Sequence, residues 1–518
     1  MKRKRWQSLG VLRGLALAAM LLLLGCAGQP VALEALADDL APPAPREFRA
    51  AWVASVANID WPSRADLSVA QQQAEIIALL DQAQALHLNA IVLQVRPSAD
   101  ALYASTLEPW SEYLTGRQGQ APEPIYDPLK MWIEEAHRRG IELHAWLNPY
   151  RARHPSAKSA LAANHLANTQ PQAVKPYGDL LWMDPAEPAA LQRTLDVVAD
   201  VVRRYDVDGI HIDDYFYPYP IQGPDGLELD FPDEPAWQRY LSSGGQASRA
   251  DWRRQQVNHL IERMYTLIHR EKPWVRFGIS PFGLGRPERR APGIVGFSQY
   301  DKLYADAELW LRQGWLDYLS PQLYWPVDQS PQAFAQLLDT WARENTQRRH
   351  LWPGLFTSRI DDSPKSWPAQ EIVRQITLTR AQPGASGHIH FSMIALLQDR
   401  RGIATLLKSG AYTQAALVPA TPWLGAQAPS APRLSFKHAD GHGTPDTVLI
   451  EPEDDSTLRQ FAIWKRYGSE WVFAVQPASM PQVALDADPE HGKPDAVVVS
   501  SVNRLGNESP RTTVQLPP

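Results

Sequence analysis

The chain has 518 residues, of which 44% are hydrophobic and 21% are charged. This length exceeds one ordinary hydrophobic core, so we expect at least two domains, and the composition excludes a disordered or fibrous chain. The formal net charge of −6 argues against nucleic acid as a partner, because a phosphate-binding surface needs an excess of basic residues. The 19 Trp residues fit either sugar binding or the interior of a large barrel.

The N-terminus is typical of a bacterial lipoprotein signal. Basic residues at 2–5 precede an apolar run at 15–24, which is too short to span a bilayer as a helix. The run ends at Cys26, the only cysteine, in a Leu-Leu-Gly-Cys sequence that resembles a lipobox. A free thiol is the alternative, but this position favours lipidation. Because Ala27 follows instead of Asp, we expect a lipid anchor on the periplasmic face of the outer membrane.

The middle of the chain alternates strand-like and helix-like segments eight times. The loops from helix to strand are short, whereas those from strand to helix are long. This pattern predicts an α/β fold, a (β/α)8 TIM barrel with its active site at the C-terminal ends of the strands. A doubly wound open sheet is the alternative. The predicted strands are Ala50–Val56, Asn89–Arg96, Glu142–Asn148, Asp208–Asp213, Arg276–Pro281, Asp317–Tyr324, His350–Phe356 and Gly387–Ser392, with helices near 68–87, 127–139, 187–205, 248–272, 300–314, 331–345, 368–381 and 394–408.

The tail of the chain predicts a separate all-β module. Short strand-like runs alternate with turn residues there, and the run from Val498 to Ser509 resembles the closing strands of a fibronectin type III domain. We therefore expect a small fibronectin type III-like sandwich that packs on the barrel or spaces it. The predicted organisation is a signal peptide and lipobox at 1–26, a tether at 27–45, the barrel at 46–412, a linker at 413–430 and the sandwich at 431–518.

Polar residues alternate along five of the predicted strands. Since successive side chains of a strand point to opposite faces, the apolar set faces the helices and the polar set points into the barrel. Polar groups are costly to bury without partners, so the pattern indicates binding or catalysis. The inward residues are Gln94, Arg96, His144, Trp146, Asn148, His211, Asp213, Ser320, Gln322, Tyr324, His388, His390 and Ser392.

Two adjacent acids, Asp213 and Asp214, end the fourth predicted strand. Cleavage of a glycosidic bond needs a proton donor to the leaving oxygen and a group that supports the oxocarbenium-like centre, and two carboxylates in an aromatic cleft could supply both. Their like charge would raise one pKa, as a general acid requires. Alternatively, either acid could cap a helix or pair with Arg96 or a histidine. Asp213 is the first catalytic candidate and Asp214 the second.

Further residues near the strand ends are predicted to bind substrate. Arg96 would orient a carboxylate or a substrate acid, or else form a structural pair. His144 and His211 could be metal ligands, but we expect hydrogen-bonded inward residues and predict no metal and no cofactor. The predicted substrate-binding residues are Asp60, Trp61, Arg96, His144, Trp146, Asn148, His211, Tyr215, Tyr217, Gln322, Tyr324 and Trp325, with the tyrosines and Trp325 as sugar platforms or as wall packing.

Seven stretches that run in order through about 350 residues resemble the glycosyl hydrolase-like 10 family. They are ANIDWP at 57–62, QVRP at 94–97, YDPL at 126–129, HAWLNPYR at 144–151, DGIHIDDYFYP at 208–218, GISPFG at 278–283 and PQLYW at 321–325. The resemblance implies a glycoside hydrolase that cleaves peptidoglycan glycan strands already stripped of stem peptides. Within the family the likeness is to outer-membrane lipoproteins of the divisome, which implies divisome proteins as further partners.

A weaker similarity is to family 18 chitinases, whose fourth strand carries D-G-x-D-x-D-x-E. Asp208, Gly209 and Asp213 match this motif, but His211 replaces an acid and Tyr215 stands where the proton donor should be. Acetamide-assisted chemistry therefore does not transfer directly. We expect hydrolysis of peptidoglycan or a related aminosugar polymer. The alternatives are a non-catalytic glycan-binding lipoprotein that uses the same cleft and a metal-dependent deacetylase.

Overall fold

A computed structural model describes residues 41–438, 445–453 and 456–516. Cys26 and the predicted signal peptide lie outside these residues, as does most of the predicted tether. None of the helices in the described ranges combines the length and the apolar character needed to cross a bilayer.

The barrel contains eight parallel strands, which are β1 (Phe48–Val53), β2 (Ala90–Arg96), β3 (Glu142–Leu147), β4 (Gly209–Ile212), β5 (Arg276–Ile279), β6 (Tyr318–Leu319), β7 (His350–Leu351 and Gly354–Leu355) and β8 (Gly387–His390). Neighbours pair in chain order, and β8 pairs with β1. The first half of β7 pairs with β6 and its second half with β8, so the sheet closes on itself. The predicted (β/α)8 barrel is confirmed.

The main helices cover the outside of the barrel and are α1 (Val69–Ala85), α2 (Pro128–Arg138), α3 (Pro188–Arg204), α4 (Arg249–Glu271), α5 (Ala307–Gln313), α6 (Phe334–Glu344), α7 (Ala369–Ala381) and α8 (Ile403–Ser409). Shorter helices lie in the loops at Glu112–Thr115, Leu166–Thr169, Glu234–Ser242, Gln299–Lys302 and Met393–Leu397. Asp127 caps α2 by accepting a hydrogen bond from the Lys130 N–H, and Pro128 is the first helical residue.

Two predicted helices are each interrupted in the structure. The segment predicted at 300–314 breaks at Tyr304, whose φ of 55° lies in the left-handed region, and restarts at α5, where the Asp306 side chain accepts the Leu309 N–H. The segment predicted at 394–408 breaks at Asp399 and Gly402, with φ of 44° and 76°. A residue in the left-handed region cannot continue a right-handed helix. The apolar periodicity of the sequence therefore continues past a position at which the helix itself ends.

Packing separates the barrel into an outer and an inner core. Outward residues such as Ile91 and Leu93 of β2 pack with Ile76 of α1 in the large core between sheet and helices. A smaller core fills the barrel itself and is largely aromatic, with Phe48 stacked on Trp352 at 3.7 Å between ring centroids. The interior of the barrel is therefore filled by side chains, and the C-terminal ends of the strands are where barrel enzymes have their active sites.

The C-terminal module is a sandwich of two antiparallel sheets. One sheet contains β9 (Arg433–Lys437), β10 (Thr447–Glu451) and β13 (Gln482–Ala484), and the other contains β11 (Leu458–Tyr467), β12 (Glu470–Pro477), β14 (Ala496–Asn503) and β15 (Thr512–Gln515). Val448 and Val483 from the first sheet pack against Phe461 and Val499 from the second. The predicted β-sandwich is confirmed. Its fibronectin type III character stays a prediction.

The sandwich packs on the N-terminal end of the barrel, opposite the predicted site. Arg504 and Arg459 of the sandwich both contact Asp206, at 2.6 and 2.5 Å. In the predicted linker, the buried Thr421 accepts a hydrogen bond from the Arg276 guanidinium at the base of β5. The link between the two modules is therefore a packed, polar interface.

Candidate active site

Asp213 and Asp214 lie together at the C-terminal end of β4. Both carboxyl groups are buried, with 3% of each residue exposed. The strand passes close to its neighbour because Gly209 has no side chain: a Cβ there would lie 2.4 Å from the His144 ring. By alternation along β4, Asp213 is the next inward residue after His211, directly at the end of the strand. Asp214 is the first residue of the loop.

Asp213 is held by an amide and not by an ion pair. Asn148 donates its side-chain N–H group to both carboxylate oxygens, at 3.1 and 3.3 Å. The pKa of Asp213 is raised to about 7, mainly by burial; the charge of Arg151 lowers this pKa, the charge of Asp214 raises it, and Asn148 and Trp146 lower it. A carboxyl group with this pKa carries a proton in a large part of the molecules near neutral pH.

Asp214 has stronger hydrogen-bond donors than Asp213. The Tyr219 hydroxyl donates to one of its carboxylate oxygens. Burial raises the pKa of Asp214, while the Tyr219 hydroxyl and the nearby Gln322 amide lower it because they stabilise the charged carboxylate. The two acids therefore have different surroundings, which is the condition for dividing acid and base roles between them.

Arg151 is the cation beside both acids. It is 3% exposed, its Nε donates to the Pro97 carbonyl at 2.9 Å, and its guanidinium carbon lies 4.9 Å from the Tyr215 ring centroid. Its charge lowers the pKa of Asp213 and of Asp214. Sequence reasoning missed Arg151 as a site residue, although it ends the stretch HAWLNPYR. Tyr219 was also missed, and it lies just after the stretch DGIHIDDYFYP.

Half-buried aromatic rings surround the acids. Tyr215 follows them directly, and Tyr324 stacks on Phe356 at 4.8 Å between ring centroids. Trp325 meets Phe282 edge to face at 5.6 Å. Of the predicted sugar platforms, the structure thus brings Tyr215, Tyr324 and Trp325 to this end of the barrel with part of their surface free.

Four of the predicted substrate-binding residues have structural surroundings instead. Arg96 is fully buried, and Glu108 accepts two hydrogen bonds from its guanidinium at 2.5 and 2.7 Å. Trp61 is fully buried and Tyr217 is 1% exposed, and both pack in the outer core. Asp60 accepts the Ala54 and Ile394 N–H groups and the Ser392 hydroxyl, each at 2.8 Å. These four residues therefore lie behind the site, where they contact other protein groups, and they do not face the cleft.

His144 and His211 belong to a buried hydrogen-bonded chain. Trp52 donates to His211 Nε2 at 3.2 Å, His211 Nδ1 and His144 Nδ1 lie 3.0 and 2.9 Å from the Tyr318 hydroxyl, and His144 Nε2 lies 3.2 Å from Glu142. Burial holds the pKa of His211 well below its ordinary value. In the described ranges, no group of three His, Cys, Asp or Glu side chains is arranged to hold a metal ion.

The remaining predicted residues lie beside the acids. Asn148 hydrogen-bonds to Asp213, and Trp146 lies beside the same acid. Gln322 lies near Asp214 and donates its amide to the Ser280 carbonyl at 3.0 Å. The structure therefore brings together Asp213, Asp214, Trp146, Asn148, Tyr215, Gln322, Tyr324 and Trp325 from the predicted set. Their catalytic and binding roles stay predictions, and the geometry gives each of them a position from which to act.

Comparison with known proteins places this site in a family. The family model described as Glycosyl hydrolase-like 10 matches residues 47–370. The chain is 39% identical to glycosyl hydrolase YngK of Bacillus subtilis over 478 residues, which are 90% of this chain and 92% of that protein. It is 34% identical to glycosyl hydrolase DigH of Escherichia coli O6:H1 over 422 residues, which are 75% and 94% of the two chains.

Among solved structures, the chain is similar to the glycoside hydrolase domain of PgaB (BpsB) from Bordetella bronchiseptica, with a TM-score of 0.47 and 15% identity, covering 70% of this chain and 98% of that one. The family match spans most of the barrel, including both acids of β4 and the residues that contact them. The chain therefore belongs to the Glycosyl hydrolase-like 10 family, and it is a glycoside hydrolase.

Proposed function

We propose that this glycoside hydrolase is a lipid-anchored outer-membrane protein that cleaves glycosidic bonds in peptidoglycan glycan strands, with strands lacking stem peptides as its substrate. The observation that carries the proposal is the pair of buried carboxyl groups at the end of β4, one of which has a pKa raised to about 7. A group with this pKa holds a proton at neutral pH and releases it readily, as a general acid must.

In the proposed reaction, Asp213 donates its proton to the leaving glycosidic oxygen. Asn148 fixes the orientation of its carboxyl group. Asp214 acts as the carboxylate: the Tyr219 hydroxyl and the nearby Gln322 amide favour its negative charge, which stabilises the positive charge that develops on the sugar ring as the glycosidic bond breaks. A water molecule then adds to the anomeric carbon and returns a proton to Asp213. The half-buried rings of Tyr215, Tyr324 and Trp325 line the neighbouring cleft and offer apolar faces to the sugar.

The choice of an aminosugar strand rests on the family resemblance and on the length of the loops around the site. The strand-to-helix loops that follow β2, β3 and β4 are the longest of the barrel, which suits a chain that must cross the site. The divisome partners implied by the resemblance stay a prediction.

A panel of three glycans tests the substrate. We expect the enzyme to shorten purified glycan strands from which an amidase has removed the stem peptides, and to act poorly on strands that still carry peptides, with mass spectrometry as the readout. Equal cleavage of both strands would remove the proposed preference, and cleavage of chitin oligomers alone would assign a different substrate.

The anchor is tested separately. We expect the mature protein to carry lipid on Cys26, detected as the mass of its N-terminal peptide, and to fractionate with outer membranes. A Cys26→Ser variant should leave the membrane fraction while its activity on soluble glycan strands stays unchanged. An unmodified Cys26 thiol in the membrane-bound protein would contradict the anchor.

A further inference from the structure

The guanidinium of Arg151 has a buried terminal nitrogen, Nη2, whose N–H donors the protein itself does not use. Its Nε donates to the Pro97 carbonyl at 2.9 Å, but Nη2 is buried and has no hydrogen-bond partner among the described residues. A buried donor without an acceptor is costly, and more so when it carries charge. Such a group in a binding cleft indicates an acceptor that arrives with the ligand.

The neighbouring acids do not supply that acceptor. Asp213 and Asp214 are close enough for the charge of Arg151 to lower their pKa values, yet neither accepts a hydrogen bond from its guanidinium. Their own donors are Asn148 and Tyr219. Both acids are therefore near enough to feel the charge of Arg151, but they leave the donors of its Nη2 without an acceptor.

The position of Arg151 is fixed before any ligand binds. Its backbone N–H donates to the Asn148 side-chain oxygen at 2.7 Å, and its guanidinium lies over the Tyr215 ring. Arg151 also begins a short strand, Arg151–Arg153, which pairs with Leu180–Met183 at the same end of the barrel. A guanidinium held in this way binds a planar carboxylate with little loss of side-chain freedom.

We infer that Arg151 is the specificity-determining residue of the site and that its Nη2 binds the free lactyl carboxylate of a muramic acid unit. This inference rests on the proposed function. In an intact strand the lactyl carboxyl is joined to the stem peptide as a neutral amide, which cannot form a charged pair with a guanidinium. Removal of the peptide by an amidase leaves a carboxylate, so Arg151 provides a physical reason for preferring stripped strands.

The test compares two versions of one peptide-free glycan, the first with its lactyl carboxylates intact and the second with the same groups reduced to alcohols. For the wild-type enzyme we expect kcat/KM to be about 10- to 100-fold higher on the carboxylate form, the range of a charge-assisted hydrogen bond. Arg151→Gln should bring this ratio close to one mainly by lowering activity on the carboxylate form, while Arg151→Lys should keep part of the preference.

The matched control is Arg153→Gln. Arg153 lies on the same short strand, but its guanidinium donates to the Ala157 and Ser159 carbonyls, so the preference should stay at the wild-type value. A wild-type ratio near one, or an equal loss on both glycans in Arg151→Gln, would overturn the inference, since the second result shows that Arg151 only adjusts the acids. Should Arg151→Gln fail to fold, the wild-type ratio itself must fall as salt is added, because salt screens charge pairs.

Failure of the proposed function gives a different result. If the folded wild-type enzyme cleaves neither glycan, the proposed substrate is wrong. Titration of both glycans into Asp213→Asn, with and without Arg151→Gln, then measures carboxylate preference without turnover. Tighter binding of the carboxylate form that depends on Arg151 would keep the inference, and equal binding or none would overturn it.

Discussion

Asn148 donates its side-chain amide to both oxygens of Asp213, at 3.1 and 3.3 Å. The same amide accepts the backbone N–H of Arg151 through its oxygen, at 2.7 Å, which fixes which way the amide faces. Asp213 is thus oriented by a neutral group, while the cation beside it donates no hydrogen bond to it. This arrangement leaves the carboxyl group free to hold a proton, and most of our predictions depend on it.

The first prediction concerns pH. The pKa of Asp213 is raised to about 7, so the fraction of enzyme with a protonated general acid falls as the pH rises through this value. We expect kcat/KM on glycan strands to fall about tenfold for each pH unit well above 7. Because the two acids interact, the measured midpoint belongs to the pair. A rate that stays constant from pH 6 to pH 9 would exclude Asp213 as the proton donor.

The second prediction concerns stability. The folded-state pKa of about 7 lies above the ordinary value of 3.8, so between these pH values the folded protein binds a proton that the unfolded chain has released. The free energy of unfolding therefore decreases with rising pH on account of Asp213. Asp213→Asn should remove this effect and stabilise the protein above pH 7 by at most about 4 kcal/mol, with little difference near pH 4.

Urea unfolding at several pH values checks this prediction. Asp301→Asn is a matched control, because Asp301 is an exposed aspartate in the short helix Gln299–Lys302. It should show no gain that grows with pH. The account fails if Asp213→Asn destabilises the protein at pH 8.

The third prediction concerns the buried ion pair between Arg96 and Glu108, behind the site. Arg96 also donates to the Asn148 carbonyl at 2.6 Å, so the pair with Glu108 positions the residue that holds Asp213. Glu108→Gln leaves a buried guanidinium without its counterion and should cost about 3–5 kcal/mol of unfolding free energy. Arg203→Gln breaks the exposed pair with Glu271 and should cost about 0–1 kcal/mol. An equal loss of unfolding free energy in the two variants would contradict the expected difference between the buried pair and the exposed pair.

The fourth prediction separates the two acids. The Tyr219 hydroxyl stabilises the charged form of Asp214, so Tyr219→Phe raises the pKa of that carboxyl. We expect the low-pH limb of the rate profile to move to higher pH, with a larger loss of kcat/KM at pH 5 than at pH 7. Tyr126→Phe removes a comparable hydroxyl that donates to Gln72 at 2.7 Å, away from the acids, and should leave the profile unchanged. A proportional loss at every pH would contradict this role of Tyr219.

Sequence alternation was sufficient to predict the barrel and the inward residues of β2, β3, β4 and β6. For β8 the prediction was wrong: Ile389 packs in the inner core, so His388 and His390 point outward, where both rings contact the Tyr412 hydroxyl. Alternation identified Asp213, Asn148 and Gln322 correctly as neighbours, because side-chain direction in a strand depends only on position parity. Alternation does not predict how far along the barrel axis an inward residue lies. His211 and Asp213 share one face of β4, yet His211 lies in the buried Tyr318 chain and only Asp213 reaches the cleft.

The residues that sequence reasoning misplaced belong to loops or to buried ion pairs. Arg96 points inward as predicted, but Glu108, twelve residues later, occupies its guanidinium, and no local pattern signals that pairing. Tyr217 lies beyond the end of β4, where alternation no longer holds, and it packs in the core. Arg151 reaches the acids from a short loop strand whose pairing depends on residues near 180.

The most direct test of the account uses Asp213 itself. Peptide-free glycan strands are incubated with the wild type, Asp213→Asn and the control Asp301→Asn at pH 6.5, and the strand lengths are measured by mass spectrometry. We predict that the wild type and the control shorten the strands at similar rates and that Asp213→Asn is slower by about 10²- to 10⁴-fold, as expected for loss of a general acid. An Asp213→Asn variant that shortens strands at the wild-type rate would contradict the central claim.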